Sequence, residues 1–227
     1  MNKYALIVAG GTGSRMNSTI PKQFIELNGI PVLMHTIGAF HSYDEHIKII
    51  LILPERLSLF WKELCKKNNF DIDHKIAFGG QTRFQSVKNG LSLINNEGII
   101  FIHDGVRPFI SGSTIAHCYE TALKKGNALP VVPLTESVRE LTVNGNRSAD
   151  RSRYFLVQTP QTFRVSLIQK AYQQDYSDNF TDDATVLESY GATINLVEGN
   201  RENIKITYPE DILIAEALIK YFLEPDP

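Results

Sequence analysis

The first apolar run of the chain, Tyr4 to Ala9, ends directly in glycines at positions 10, 11 and 13. That junction restricts the fold more than any other feature. Tyr-Ala-Leu-Ile-Val-Ala shows no polar alternation, the mark of a strand covered on both faces, and such strands belong to parallel sheets between helices. The glycines allow a sharp turn and let backbone N–H groups close on an anion. Two cations, Arg15 and Lys22, come next. Strand, glycine turn and cations together predict a polyphosphate held at the end of a buried strand.

Two familiar phosphate motifs fail on this loop. The dinucleotide fingerprint G-x-G-x-x-G fits Gly11 and Gly13, but Met16 stands at the third glycine and no acid falls near the ribose position. A P-loop requires a lysine directly after its last glycine, and here Lys22 is the first. An oxidoreductase domain is therefore the weaker reading, and Arg15, Lys22 and Asp104 together weigh against a non-catalytic nucleotide sensor.

Strand-like and helix-period segments alternate after the loop. Helical spacing covers Pro31 to Phe40, an apolar strand covers Ile47 to Leu53, and an amphipathic helix covers Glu55 to Lys67. Lys75 to Phe78 reads as a strand, Phe84 to Ile94 as a helix and Gly98 to His103 as another buried strand. Ser113 is placed as the N-cap of a helix reaching Lys125, followed by a strand from Asn127 to Leu134. Beyond residue 158, helices start at Val165, Asp182 and Pro209, with strands at Thr193 to Val197 and Ile204 to Thr207. The pattern predicts an α/β fold: a Rossmann-like, mostly parallel sheet flanked by helices. The alternation breaks at residues 136–158, where Val138 to Val143 and Asn144-Gly145 signal a hairpin and Tyr154 to Val157 returns as a strand. This predicts a single domain over residues 1–227 with a protruding β-hairpin arm over 136–158. An isolated hairpin is marginal, so the arm is expected to pack on a second copy in a homodimer with shared active sites.

A net charge of −2 argues against nucleic acid and against a polybasic membrane patch. Cys65 and Cys118 have no metal spacing and read as reduced, packed thiols. The first residues lack a signal-peptide pattern and no apolar run has the length of a membrane span, so a cytoplasmic location is expected.

Five segments then resemble one family in register. Ala9-Gly10-Gly11-Thr12-Gly13-Ser14-Arg15-Met16 with Pro21-Lys22-Gln23 resembles the signature of the sugar-phosphate nucleotidyltransferases. His103-Asp104-Gly105-Val106-Arg107-Pro108 resembles a segment of their cytidylyltransferase branch. Gln158-Thr159-Pro160-Gln161, Thr181-Asp182-Asp183-Ala184 and Asn203-Ile204-Lys205-Ile206-Thr207 complete the set. The resemblance implies transfer of CMP from CTP to a sugar-alcohol phosphate, with release of pyrophosphate. Thr181 favours 2-C-methyl-D-erythritol 4-phosphate as acceptor, and ribitol 5-phosphate is the alternative. Gly105-Val106 replaces an Ala-Ala pair common in that branch, which is expected to loosen the pocket; Ser137 replaces a common threonine.

Roles follow. A phosphate monoester has a second pKa of about 6, so the attacking oxygen is already anionic and no histidine base is needed. Arg15 and Lys22 are the expected triphosphate cations, joined as catalytic residues by Lys205 and by Arg151 from the neighbouring arm. Ala9, Gly10, Gly11, Gly13, Gly80 and Ser86 are expected at CTP. Arg83 is open between the nucleotide segment and a surface cation. Arg107, Ser137, Thr159 and Thr181 are expected at the acceptor. Asp104, at a strand carboxyl end, is expected to contact Mg²⁺, and His103 to be a packed residue.

Overall fold

The structure is a computed structural model that describes residues 1–11 and 20–223. Its centre is a sheet that contains, among the described residues, eight strands. β1 (Asn2–Val8) lies between β4 (Lys48–Leu53) and β6 (Gly98–Asp104), parallel to both, and β5 (His74–Phe78) continues the parallel order beyond β4. On the other side β11 (Gln161–Arg164) runs antiparallel between β6 and β7 (Asn127–Pro133). β7 also pairs with β10 (Phe155–Val157), antiparallel, and with β12 (Leu196–Glu198), parallel. Short strands β2 (Glu26–Leu27) and β3 (Ile30–Pro31) pair with each other.

The two-residue period of the strands divides the core into two layers. Ala5, Ile7, Ile49, Leu51, Leu53, Ile99 and Phe101 point to one face, where α1 (Val32–Tyr43), α2 (Ser58–Lys67) and α4 (Gly112–Lys125) cover them with Leu33, Ile37, Phe40, Trp61, Ile115 and Cys118. Tyr4, Leu6, Ile50, Ile52, Ile100 and Ile102 point to the other, under α3 (Arg83–Leu91), α5 (Val165–Ala171) and α6 (Asp183–Ser189). The final helix, α7 (Pro209–Leu223), packs Ala215 and Ile219 with Leu27, Val32, Val106 and Ile206. The buried strand residues are near-continuously apolar because both faces are covered, the pattern that Tyr4 to Ala9 showed in the sequence.

This topology fixes where a ligand goes. From β1 the chain crosses to β4 and β5 on one side, then returns to β6 on the other. The carboxyl ends of β1 and β6 therefore flank a switch point, the place where open α/β sheets leave a crevice. Gly10 and Gly11 leave β1 there, and Asp104 ends β6 there, in register with Val8.

Several expected elements fall differently. The N-cap of α4 is Ser111, whose hydroxyl accepts from the Thr114 N–H at 3.1 Å, not Ser113. The hairpin pairs β8 (Val138–Thr142) with β9 (Gly145–Ala149), and Phe155–Val157 is an edge of the main sheet rather than the returning half of the arm. The hairpin was read, but its two-residue turn is Val143-Asn144, one residue earlier than Asn144-Gly145, since Gly145 already pairs with Thr142. The polar run Asn146 to Ser148 hid the second strand, because an arm exposed on both faces carries no apolar alternation. β11 went unread for a related reason: Gln161 and Thr162 are buried polar residues that break the apolar pattern. Residues 204–207 form no strand. Ile206 is buried and its N–H bonds the Val106 carbonyl at 2.9 Å, but no ladder continues from it.

Candidate active site

Val8 through Gly11, Lys22, Gly80, Arg83, Ser86, Asp104 and Lys205 line a cleft of about 300 Å³ over the switch point. Five segments supply it, one of them the turn at Lys22–Phe24. The β1 end gives the glycine turn, the α3 start gives Gly80 to Ser86, the β6 end gives Asp104, and the segment before α7 gives Lys205.

Asp104 is the charged centre. The Lys205 Nζ stands 3.0 Å from its Oδ2, and the Arg107 Nε stands 3.3 Å from the same oxygen. Burial by itself would raise this carboxyl. The fields of Lys205, Arg83 and Arg107 outweigh burial and hold it well below the ordinary carboxylate range. Arg107 spends a further N–H on the Asn203 carbonyl at 2.7 Å, and its side chain is mostly buried. Lys205 differs, because 43 % of its side chain is exposed, which leaves ammonium donors for a ligand in the cleft.

Beneath Asp104 runs a relay. The Asp104 N–H donates to Thr159 Oγ1 at 3.1 Å, and Thr159 Oγ1 lies 3.0 Å from His103 Nδ1. His103 Nε2 lies 3.0 Å from the Arg107 carbonyl, which only accepts. Nε2 therefore carries the proton, and Nδ1 accepts from the Thr159 hydroxyl. The ring is neutral and fully enclosed, and burial pushes its pKa down to about 4. His103 is the packed residue the sequence reading expected. Thr159 departs from its expected place at the acceptor, since its hydroxyl points inward and both partners are protein groups.

The nucleotide segment is equally preorganised. Thr82 caps α3 by accepting from the Gln85 N–H at 3.1 Å. Ser86 Oγ donates to the Thr82 carbonyl at 2.8 Å and accepts the Gly80 N–H at 3.0 Å. A Cβ on Gly80 would stand 2.5 Å from that of Gln85, so only glycine fits. Arg83 is no solvated surface cation: it grips the buried Asp183 carboxylate with both Nη atoms, at 2.8 and 2.5 Å.

The glycine turn is tied down by Gln23, whose Nε2 donates to the Ala9 carbonyl at 3.0 Å. Lys22 Nζ donates to the Ile206 carbonyl at 3.1 Å and lines the cleft. Gly13 and Arg15 lie outside the described residues. Gly105 does not loosen the pocket as expected, because a Cβ there would meet the Ala9 Cβ and Leu33 Cδ1 at 3.0 Å.

Thr181 is exposed and stands outside the cleft lining, as do Ser137 and Arg151 on the arm. The Arg151 Nη1 bonds the carbonyl of Thr135. The structure thus gathers Ala9, Gly10, Gly11, Lys22, Gly80, Ser86, Asp104 and Lys205 at the cleft, sets Arg107 and Thr159 behind them, and leaves the arm residues apart.

Sequence reasoning missed the residues that hold these groups. Gln161 Nε2 donates to Asp182 Oδ2 and its Oε1 accepts the Ala184 N–H, both at 2.7 Å. Asn203, fully buried, donates to the Thr159 carbonyl at 2.8 Å. The segments that resembled site motifs thus also lock one another. The only signal was amide and acid side chains within apolar stretches.

Among the described residues, no three His, Cys, Asp or Glu side chains gather to hold a metal. Both cysteines are free thiols; burial pushes Cys118 up to about 12 and Cys65 up to about 11, so neither is a nucleophile here. No described helix is long and apolar enough to cross a membrane.

Comparison with known proteins agrees with this geometry. A family model described as 2-C-methyl-D-erythritol 4-phosphate cytidylyltransferase matches residues 4–221. A protein of that name from Bacteroides fragilis is 53 % identical over 219 residues, covering 96 % of this chain and all of the relative. One from Phocaeicola vulgatus is 53 % identical over the same shares. Among solved structures, 4-diphosphocytidyl-2C-methyl-D-erythritol synthase from Anaerococcus prevotii superposes with a TM-score of 0.82 at 27 % identity, over 96 % of each chain. The 2-C-methyl-D-erythritol 4-phosphate cytidylyltransferase of Thermus thermophilus gives 0.78 at 28 % identity, over 97 % of this chain and all of that one.

Proposed function

The chain belongs to the 2-C-methyl-D-erythritol 4-phosphate cytidylyltransferase family, and from that premise we propose that the cleft over β1 and β6 is where CMP passes from CTP to 2-C-methyl-D-erythritol 4-phosphate. The products are 4-diphosphocytidyl-2-C-methyl-D-erythritol and pyrophosphate. The reading of ribitol 5-phosphate as acceptor is not favoured, since the relatives carry the erythritol name.

The observation that supports this site is the convergence of a glycine turn with Lys22, Lys205 and an ionised Asp104 in one crevice. The acceptor phosphate attacks the α-phosphorus of CTP with an oxygen that is already anionic. The pentacoordinate arrangement gathers negative charge, and catalysis consists of alignment and compensation of that charge. Lys22 and Arg15 take the triphosphate, with Lys205 beside the reacting phosphorus. Asp104 orients Lys205 through the 3.0 Å contact. His103 takes no proton, because both ring nitrogens are engaged and burial keeps it neutral.

A carboxylate that belongs, among the described residues, to no cluster of three ligating side chains suits an ion that arrives on the nucleotide, as Mg²⁺ does when it keeps waters and phosphate oxygens. Asp104 is the residue that would hold it, and the ion would neutralise phosphate charge during the displacement.

The acceptor site is completed by a second copy. Leu141 and Val143 on the hairpin are 85 % and 102 % exposed, and Phe155, Leu156 and Val157 leave an apolar edge strand about half exposed. These surfaces suit a homodimer in which Ser137 and Arg151 of the arm reach the neighbour's cleft. Arg107 and Thr181 belong to the acceptor side of the same site.

The test is release of pyrophosphate from CTP with either sugar-alcohol phosphate. Turnover with methylerythritol phosphate is expected; preference for ribitol phosphate, or no turnover with either, overturns the assignment.

A further inference from the structure

Thr181, expected at the acceptor, opens a segment whose Asp183 turns toward the nucleotide wall. Its carboxylate is fully buried. It accepts from Arg83 Nη1 at 2.8 Å, from Arg83 Nη2 at 2.5 Å, and from the Tyr172 hydroxyl at 2.6 Å. The Tyr172 ring is also buried and stacks on Phe84, the residue after Arg83, with centroids 4.7 Å apart and planes 19° from parallel. Arg83 is thus held at its head group by Asp183 and beside its backbone by Tyr172.

A buried carboxylate is costly unless it is paired and fully hydrogen-bonded. Here the pairing comes from a side chain that also lines the ligand cleft. A guanidinium has five N–H donors in a rigid plane, and Asp183 takes two. The remaining donors belong to a group whose orientation is fixed before any ligand arrives, which lowers the entropic cost of meeting a planar or tetrahedral anion. The glycine turn, Lys22 and Ser86 share this cleft, so the anion there is the nucleotide.

We propose that Asp183 and Tyr172 are positioning residues for CTP: they pin Arg83 on the cleft wall so that its outward N–H donors meet phosphate oxygens of the nucleotide. The inference rests on the cleft being the CTP site. It links the Thr181–Ala184 segment to nucleotide binding through an ion pair buried at Asp183 and open to the cleft at Arg83.

The experiment measures CTP affinity by calorimetry with Mg²⁺ present, together with kcat and both KM values. The variants are Arg83→Met, Asp183→Asn, the double variant of the two, and Tyr172→Phe. Arg83→Met leaves a buried charge unpaired, so the double variant, which replaces the pair with neutral side chains, secures a folded sample; melting curves verify it. Asp183→Asn is expected to weaken CTP about tenfold, with KM for methylerythritol phosphate within about twofold, and Tyr172→Phe to weaken CTP about threefold. The double variant is expected to bind CTP no more weakly than Arg83→Met, since Asp183 acts through Arg83. Additive losses overturn the linkage. A lowered melting temperature with CTP affinity intact shows the clamp to be structural only and also overturns it. If wild-type protein binds CTP and turns over while the variants keep their affinity, the clamp falls and the assigned function stands. If wild-type protein binds no CTP, both fall.

Discussion

Acidification should strike the relay beneath Asp104 before any other part of the site. His103 is buried and neutral, with its pKa moved from 6.5 down to about 4. In the unfolded chain it protonates near the ordinary value. Between the two values the unfolded state therefore binds a proton that the folded state refuses, and stability falls as pH falls. The contribution is fully present above the unfolded pKa and is lost as the pH drops toward the folded one. At roughly 1.4 kcal/mol per pH unit, lowering the pH from 7 to 5 should remove about 2 kcal/mol through this one group. The structural reason is a donor conflict. Protonated Nδ1 would donate to Thr159 Oγ1, which already receives the Asp104 N–H, and the threonine proton would lose its acceptor. Asp104 works in the same direction, since its carboxyl is held below 3.8, but its loss begins only below that value. Urea unfolding at intervals of pH provides the measurement, comparing the chain with His103→Gln, which cannot titrate. Whatever the substitution costs at pH 7, its stability should fall less steeply, by about 2 kcal/mol across the interval, with an unchanged denaturant slope. Parallel curves for the two proteins would refute the neutral, buried imidazole and the relay built on it.

Lys22→Ala should lower turnover by roughly 10²–10³ with little loss of stability, as when other preorganised donors to a transition state are removed; steady-state kinetics and a melting curve read this directly. Gly80→Ala drives a Cβ to 2.5 Å from that of Gln85; it should displace the start of α3 and weaken CTP by about tenfold or more, and unchanged affinity in a calorimetric titration would contradict the tight turn. Arg151→Ala should cripple turnover and leave CTP affinity near its original value, and mixing this variant with Lys22→Ala should recover activity by pairing an intact arm with an intact cleft. No recovery in verified heterodimers would argue that each site is built from one chain.

The legible parts of the site were those where one residue type has a single physical use. Gly80 marks a turn that a side chain would obstruct, and Asp104 ends an apolar strand, where a carboxylate stands out from its surroundings. Thr159 and Asp183 were harder. Each sits in a segment that resembles a site motif, yet one hydroxyl serves a buried relay and one carboxylate anchors an arginine. Local sequence shows that a polar group occurs in an apolar setting; the partner lies 55 residues away for Thr159 and Asp104, and 100 residues away for Arg83 and Asp183. The same blindness affected β9 and β11, whose polar residues carry no period.

Periodicity and composition, which act between near neighbours, settled the covered parallel strands, the helices that flank them and the glycine turn at the first strand end, because burial on both faces leaves a local apolar signature. Which strands adjoin, which cation meets Asp104, and whether a hydroxyl faces ligand or interior were decided only when the sheet brought distant segments together, because hydrogen bonds and ion pairs depend on distances of about 3 Å that no spacing along the chain encodes.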